Sequence, residues 1–252
     1  MTVDGATITR LEKAAMDNGF DRMFPVVDGW LPFASTQAPL KMWLMVTLER
    51  AFVAALSQQN VIRAMSDLGV PYSGILPVGA HGARAVADVP SLHRIVRRAF
   101  HLSRTLPDEL LRMFIGQTAP LAMTTEAERL VVQRIGQDIF RRGLIEYWEG
   151  RCAITRLART ELLRASHIKP WAACETDGER LDVFNGFLLA AHLDAAFDNG
   201  LITISDDGAV VVSRFLTEDD RRIIGLLEPL RVSNLTAEHR AYLRWHREKL
   251  FH

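Results

Sequence analysis

The chain has 252 residues, enough for one large domain or two modest ones. Its apolar share is 48%, and 30 Lys and Arg balance 30 Asp and Glu, which excludes wholesale disorder and a global polycation. Two cysteines, Cys152 and Cys174, are too few for a disulfide framework or a four-thiolate zinc site and fit a reducing compartment. The first ten residues show no basic segment leading into an apolar run, and no apolar run approaches the ~20 residues of a membrane span. The expectation is a cytoplasmic protein with no membrane partner.

In chain order, residues 7–18 read as a short helix stopped by Gly19, and Asp28-Gly29 is a turn signal. Residues 41–46 and 52–56 read as paired strands, with a single helix as the alternative, because short apolar runs do not arbitrate. A helix is expected over 59–68, with Gly69 past its end. Residues 70–90, rich in Gly and Pro, read as a long loop or an excursion within the domain. Ser91 is expected to cap a helix over 92–103, and Pro107 to open another over 108–115. Residues 116–125 read as the domain boundary. Thr125-Glu126-Ala127-Glu128 is a capping-box pattern that opens a helix to about Trp148, with Gly150 as its stop. Residues 151–155 and 162–168 read as strands, 187–197 as largely helical, and 201–204 with 210–213 as a hairpin. The tail, 237–252, reads as an amphipathic helix with His239 and His246 as surface or packing residues. Cys152 and Trp171 read as packing residues.

Residues 134–169 concentrate charge. Eight basic residues stand against four acidic ones, a local +4 in a neutral chain. Taken alone, such a run is most often a solvated helix face.

A further set of strings follows in a fixed order. They are Arg134-Ile135-Gly136-Gln137, Arg151-Cys152-Ala153-Ile154-Thr155, Ala165-Ser166-His167-Ile168-Lys169-Pro170-Trp171, Asn185-Gly186-Phe187-Leu188-Leu189, His192, and Phe197-Asp198-Asn199-Gly200. No one string is specific. In this order and spacing they resemble the ββα-metal finger of HNH endonucleases, over roughly residues 129–208, and the ending Tyr242-Leu243-Arg244-Trp245 is similar to restriction-type members.

The resemblance implies an α+β protein: a C-terminal HNH nuclease module with flanking helices over 121–252, preceded by a smaller α+β domain over 1–120. It implies His167 as general base, since imidazole titrates near neutrality, with Asn185 holding its orientation and His192 as a further catalytic group. A divalent cation on the helix would be held by His192, Asp194 and Asp198. Asp194 and Asp198 are i and i+4 and share a helix face. His192 is ~200° from Asp194 and joins that face only if it precedes the regular helix. Hard oxygen ligands favour Mg²⁺ or Mn²⁺, and an imidazole ligand admits Zn²⁺ or Ni²⁺. Ser166 stands where many members carry Asp or His, and it is a poor ligand. Arg141, Arg151, Arg164 and Lys169 are the candidate DNA contacts, with Gln137 and Arg141 alternatively bracing the finger.

The expected activity is metal-dependent hydrolysis of DNA phosphodiesters in a restriction or defence setting, by a homodimer when both strands are cut. The competing expectation is a DNA-binding or effector-gated protein with a degenerate finger. Residues 1–120 are long enough to read DNA, including modified bases. There Arg84, Arg94, Arg97, Arg98 and Arg104 are candidate phosphate contacts, or a helix face.

Overall fold

The computed structural model describes residues 5–121, 125–232 and 234–252, with backbone only at 107–108. The chain divides into two compact units, Met1–Leu106 and Pro107–His252. The division falls before the expected boundary at 116–125, of which 122–124 lie outside the described residues. The helix after Pro107 therefore joins the second unit, where it packs on the helices that follow.

The first unit runs α1 (Gly5–Met16), β1 (Arg22–Met23), β2 (Leu31–Ala34), β3 (Lys41–Val46), β4 (Phe52–Leu56), α2 (Gln59–Arg63), β5 (Val70–Pro71), β6 (Gly82–Val86) and α3 (Val89–Thr105). The strands form one antiparallel sheet in the order β1-β2-β3-β4-β6-β5. Residues 41–56 are thus two strands rather than one helix. All five residues of β4 are buried, so both sheet faces are covered. Helices α1 and α3 cover one face through Leu11, Ala15, Leu92 and Val96. Trp30, Val53, Ala55 and Ala83 build the other, with Trp43 and Tyr72 packed against them.

Three expectations change here. Residues 82–86 are a paired strand inside the supposed loop. The cap of α3 is Asp88, whose carboxylate accepts from the Ser91 N–H at 2.7 Å. Of the arginines proposed to touch phosphate, Arg84 and Arg98 are buried, at 8% and 6% exposure.

The second unit runs α4 (Pro107–Thr118), α5 (Glu126–Tyr147), β7 (Leu163–His167), α6 (Asp177–Leu181), β8 (Gly186–Ala190), α7 (Ala191–Asp198), β9 (Ile202–Ile204), β10 (Val210–Val212), α8 (Glu218–Ile223) and α9 (Ala237–Lys249). The capping box forms as its sequence implies: Glu128 N–H donates to Thr125 Oγ1, and Thr125 N–H to the Glu128 carboxylate. Glu149 and Gly150 take positive φ at the end of α5.

The ββα unit is β7-β8-α7. Residues 187–190 are a fully buried strand, not the start of a helix, and the helix begins at Ala191. Residues 151–155 are a turn, not a strand. The buried Cys152 Sγ accepts the Thr155 and Ala190 N–H groups, both at 3.4 Å, and ties this turn to the start of α7. β9 and β10 pair around Asp206-Asp207-Gly208 as expected. His239 and His246 on α9 are both fully buried, so they are packing residues. His246 stacks on Phe197 at 3.9 Å and lies 3.1 Å from its carbonyl.

Candidate active site

β7 and β8 pair in a register that sets Ser166 opposite Phe187 and His167 opposite Gly186. Side chains alternate along a strand. Ser166 accordingly meets α7, with its hydroxyl donating to Asp198 Oδ1 at 3.2 Å. His167 leaves on the other side and stacks on Phe140 of α5, centroid to centroid 3.8 Å and 13° from parallel. The edge of Trp171 closes a second side.

Gly186 lets the rings come this close. Its φ of −160° is ordinary extended backbone, so Asn185-Gly186 is no left-handed turn. A Cβ there would lie 2.5 Å from the Phe140 ring. Gly136 does the same for Trp171, whose ring tip lies 2.5 Å from where a Cβ would stand. The Gly136 in the sequence string is explained by space, not by flexibility.

His167 Nε2 lies 2.9 Å from the Arg180 carbonyl oxygen. A carbonyl only accepts, so Nε2 carries the proton and Nδ1 keeps its lone pair. Burial, partly offset by that bond, pulls the imidazole down to about 4, so it is neutral near pH 7.

Asn185 does not touch His167; it fastens the loop that does. Its Oδ1 accepts the Lys169 N–H at 2.7 Å, and its Nδ2 donates to the carbonyls of Lys169 and Glu179 at 3.1 and 3.0 Å. Its backbone carbonyl accepts from Ile168. The residue after Glu179 is Arg180, whose carbonyl holds the imidazole.

Asp194 and Asp198 lie on the α7 face toward Ser166. Partial burial raises Asp198 to about 6, and the neighbouring Asp194 charge adds to this. Burial also raises Asp194, while the Ser166 hydroxyl and the Arg164 charge act against it. Two crowded carboxylates beside a hydroxyl are hard oxygen donors. They fit a cation such as Mg²⁺ or Mn²⁺, which binds one or two carboxylates and keeps the rest of its shell for water and phosphate.

His192 does not complete that set. It is exposed and sits in the first turn of α7, not before the helix, so it projects away from the Asp194 face. Among the described residues no three His, Cys, Asp or Glu side chains are grouped to hold a metal. Helix geometry favours the carboxylate pair of Asp194 and Asp198 over a set that includes His192.

The candidate DNA contacts also divide. Arg141 donates to the Leu163 and Thr160 carbonyls at 3.0 and 3.1 Å, so it braces the start of β7. Lys169 is paired with Glu179 at 3.0 Å, which raises its pKa. Both cations are already engaged. Arg151 and Arg164 are exposed, although Arg164 Nη1 also donates to the Glu161 and Leu163 carbonyls at 3.1 and 3.0 Å.

Sequence reasoning did not find the Arg180 carbonyl or the Lys169–Glu179 pair. The former is a backbone group with no sequence signature, and the latter is made by a ten-residue loop folding back. A third missed contact is the Tyr242 hydroxyl donating to Asp182 Oδ2 at 2.9 Å.

A two-stranded hairpin ending in an imidazole, followed by a carboxylate-bearing helix, is a ββα nuclease-type finger. Residues 152–205 match the family model for HNH endonucleases. The second unit therefore carries an HNH endonuclease module in a mixed α+β chain. No curated protein matches the chain. Among the described residues no helix is long and apolar enough to cross a membrane.

Proposed function

We propose that the protein is a metal-dependent DNA endonuclease, with His167 as general base and Asp194 and Asp198 as the cation ligands. The observation that carries this is the neutral His167, held by Nε2–H to the Arg180 carbonyl with Nδ1 left as a base. It is set one residue from a serine that contacts the carboxylate pair.

His167 Nδ1 takes the proton of the attacking water as the new P–O bond forms and the P–O3′ bond breaks. The 3′ oxygen takes up a proton from solvent as it leaves, giving a 3′-hydroxyl and a 5′-phosphate. The Arg180 carbonyl, beside Nε2–H, steadies the imidazolium that results. The phosphate's own charge raises a base that burial holds at about 4, moving it toward working pH. In-line displacement puts water and leaving oxygen on opposite sides of phosphorus. A bound Mg²⁺ or Mn²⁺ would neutralise charge developing on the leaving oxygen. Asn185 acts by fixing the loop, and Arg151 and Arg164 are the proposed phosphate contacts.

The finger acts on backbone phosphates, which carry no sequence information. We therefore assign DNA recognition to the first unit, in a restriction or defence role that includes modified bases. Cutting both strands calls for a second copy, and the setting is cytoplasmic. Binding of the full chain to plain and base-modified duplexes would show a preference, and equal binding would remove the recognition role.

Ser166 in a usual ligand position favours a second reading, a DNA-binding finger without catalysis. Nicking of supercoiled plasmid during an Mg²⁺ or Mn²⁺ titration separates the two. The endonuclease reading expects saturable nicking that chelator stops and that Asp194→Asn with Asp198→Asn suppresses. No nicking at any cation concentration leaves the second reading.

A further inference from the structure

We propose that Asp182 and Tyr242 form a positioning pair for the His167 base, acting through the loop and turn between them. This rests on the reading of His167 as base.

Asp182 lies between the two groups that matter. Two residues before it is Arg180, whose carbonyl holds the imidazole, and three residues after it is Asn185, which fastens the loop. Its Oδ1 accepts the Phe184 N–H at 2.9 Å, and its backbone carbonyl accepts the Asn185 N–H at 2.9 Å. The carboxylate thereby caps the 3-10 turn Val183–Asn185 that presents Asn185. Its other oxygen takes the Tyr242 hydroxyl at 2.9 Å, from α9, sixty positions away.

The helix grips the same turn at a second point. His239, one turn earlier on α9, meets the Phe184 ring edge-on at 5.2 Å and stacks parallel to Phe187 of β8 at 5.7 Å. The C-terminal helix thus clamps both the capping carboxylate and the aromatic of one turn. If the clamp slackens, the Arg180 carbonyl and the Asn185 amide move together. The imidazole then loses its fixed tautomer while its own contacts with Phe140 and Trp171 persist. Tyr242 touches no reacting atom; it acts through Asp182.

The test uses the full chain with ¹⁵N-labelled histidine and a plasmid-nicking assay in Mn²⁺. Tyr242→Phe keeps the ring and removes only the hydroxyl. The proposal expects kcat to fall about tenfold, the scale of one lost bond to a charged group, with KM for plasmid unchanged. It also expects the His167 ring to shift from the Nε2–H tautomer toward a mixture. Asp182→Asn, which can keep both bonds, should retain more activity than Asp182→Ala. Arg244→Ala, on the exposed side of α9, serves as control and should leave both readouts alone. A Tyr242→Phe protein with wild-type kcat and an unchanged His167 tautomer overturns the proposal. The tautomer readout decides even if no variant nicks. The reading of His167 as base fails separately, by His167→Ala nicking like wild type.

Discussion

His167 Nε2 and the carbonyl oxygen of Arg180 lie 2.9 Å apart, although thirteen positions separate the two residues. The contact fixes which imidazole nitrogen can act as base. The intervening loop is tied down at Asn185, and that tie gives the first prediction.

Asn185 is fully buried and makes three short bonds to loop backbone. Asn185→Ala leaves one N–H and two carbonyls short of a partner, at about 1–3 kcal/mol per unsatisfied group before relaxation. Urea unfolding should show a loss of about 3 kcal/mol, with nicking abolished. Asn185→Asp should be at least as harmful, since it turns an oxygen toward two carbonyls. Equal stability of Asn185→Ala and wild type would show that the loop is held by something else.

Gly136→Ala offers a test of sign. In an exposed helix this change gains about 1 kcal/mol. Here the added Cβ meets the Trp171 ring, which must shift and disturb its contact with His167. Thermal unfolding should therefore show a lower Tm, with reduced nicking. A raised Tm would mean that Trp171 yields freely and does not hold the imidazole.

Acid stability follows from His246. It is fully buried, with Nε2–H donating to the Phe197 carbonyl and Nδ1 accepting from Thr203, and burial holds it at about 4. The unfolded chain takes up this proton near pH 6.5, so between 6.5 and 4 the unfolded state binds more protons. Stability from this group is complete above 6.5 and is lost as pH falls toward 4, by up to about 3 kcal/mol. Asp182 and Asp198, both raised to about 6 by burial, have the opposite sign over pH 4–6 and offset part of the slope, while His167, also held at about 4, adds to it. The clean readout is a difference: His246→Gln should be less stable at pH 7 yet show a flatter pH dependence. An unchanged slope would place the acid sensitivity elsewhere.

The basic residues should divide by exposure, with Arg151 and Arg164 facing solvent and Arg141 and Lys169 half-buried. Arg151→Ala and Arg164→Ala should weaken DNA binding with a shallower salt dependence, each by about one phosphate contact. Lys169→Ala should instead lower thermal stability, because its partner Glu179 belongs to the His167 loop. Filter-binding isotherms across a salt series check this. A larger salt effect for Lys169→Ala than for both arginines would reverse the assignment.

Part of the candidate site's geometry was legible because its residues are tied to spacing. Asp194 and Asp198 share a face by helical repeat, and Thr125 with Glu128 announce a helix start. The elements that failed did so for physical reasons. Residues 187–190 form a continuous apolar run, which looks the same in a buried strand and a buried helix. Residues 82–86 contain Gly and Ala, which signal no strand, yet neighbouring strands complete their bonds. Residues 151–155 look extended until the Cys152 sulfur is seen accepting two backbone N–H groups. His192 was kept for its chemistry and its place in the motif, and with α7 starting at Ala191 it lies ~200° around the helix from Asp194. Contacts such as Tyr242–Asp182 and His167–Arg180 depend on where long segments return, which local pattern does not encode.

The most direct measurement is the single-turnover cleavage rate of an end-labelled duplex at saturating Mn²⁺, comparing wild type with His167→Ala. The account expects a loss of at least about a hundredfold, the scale of general-base catalysis, with an unchanged melting profile and duplex affinity. Cleavage by His167→Ala at the wild-type rate would contradict it.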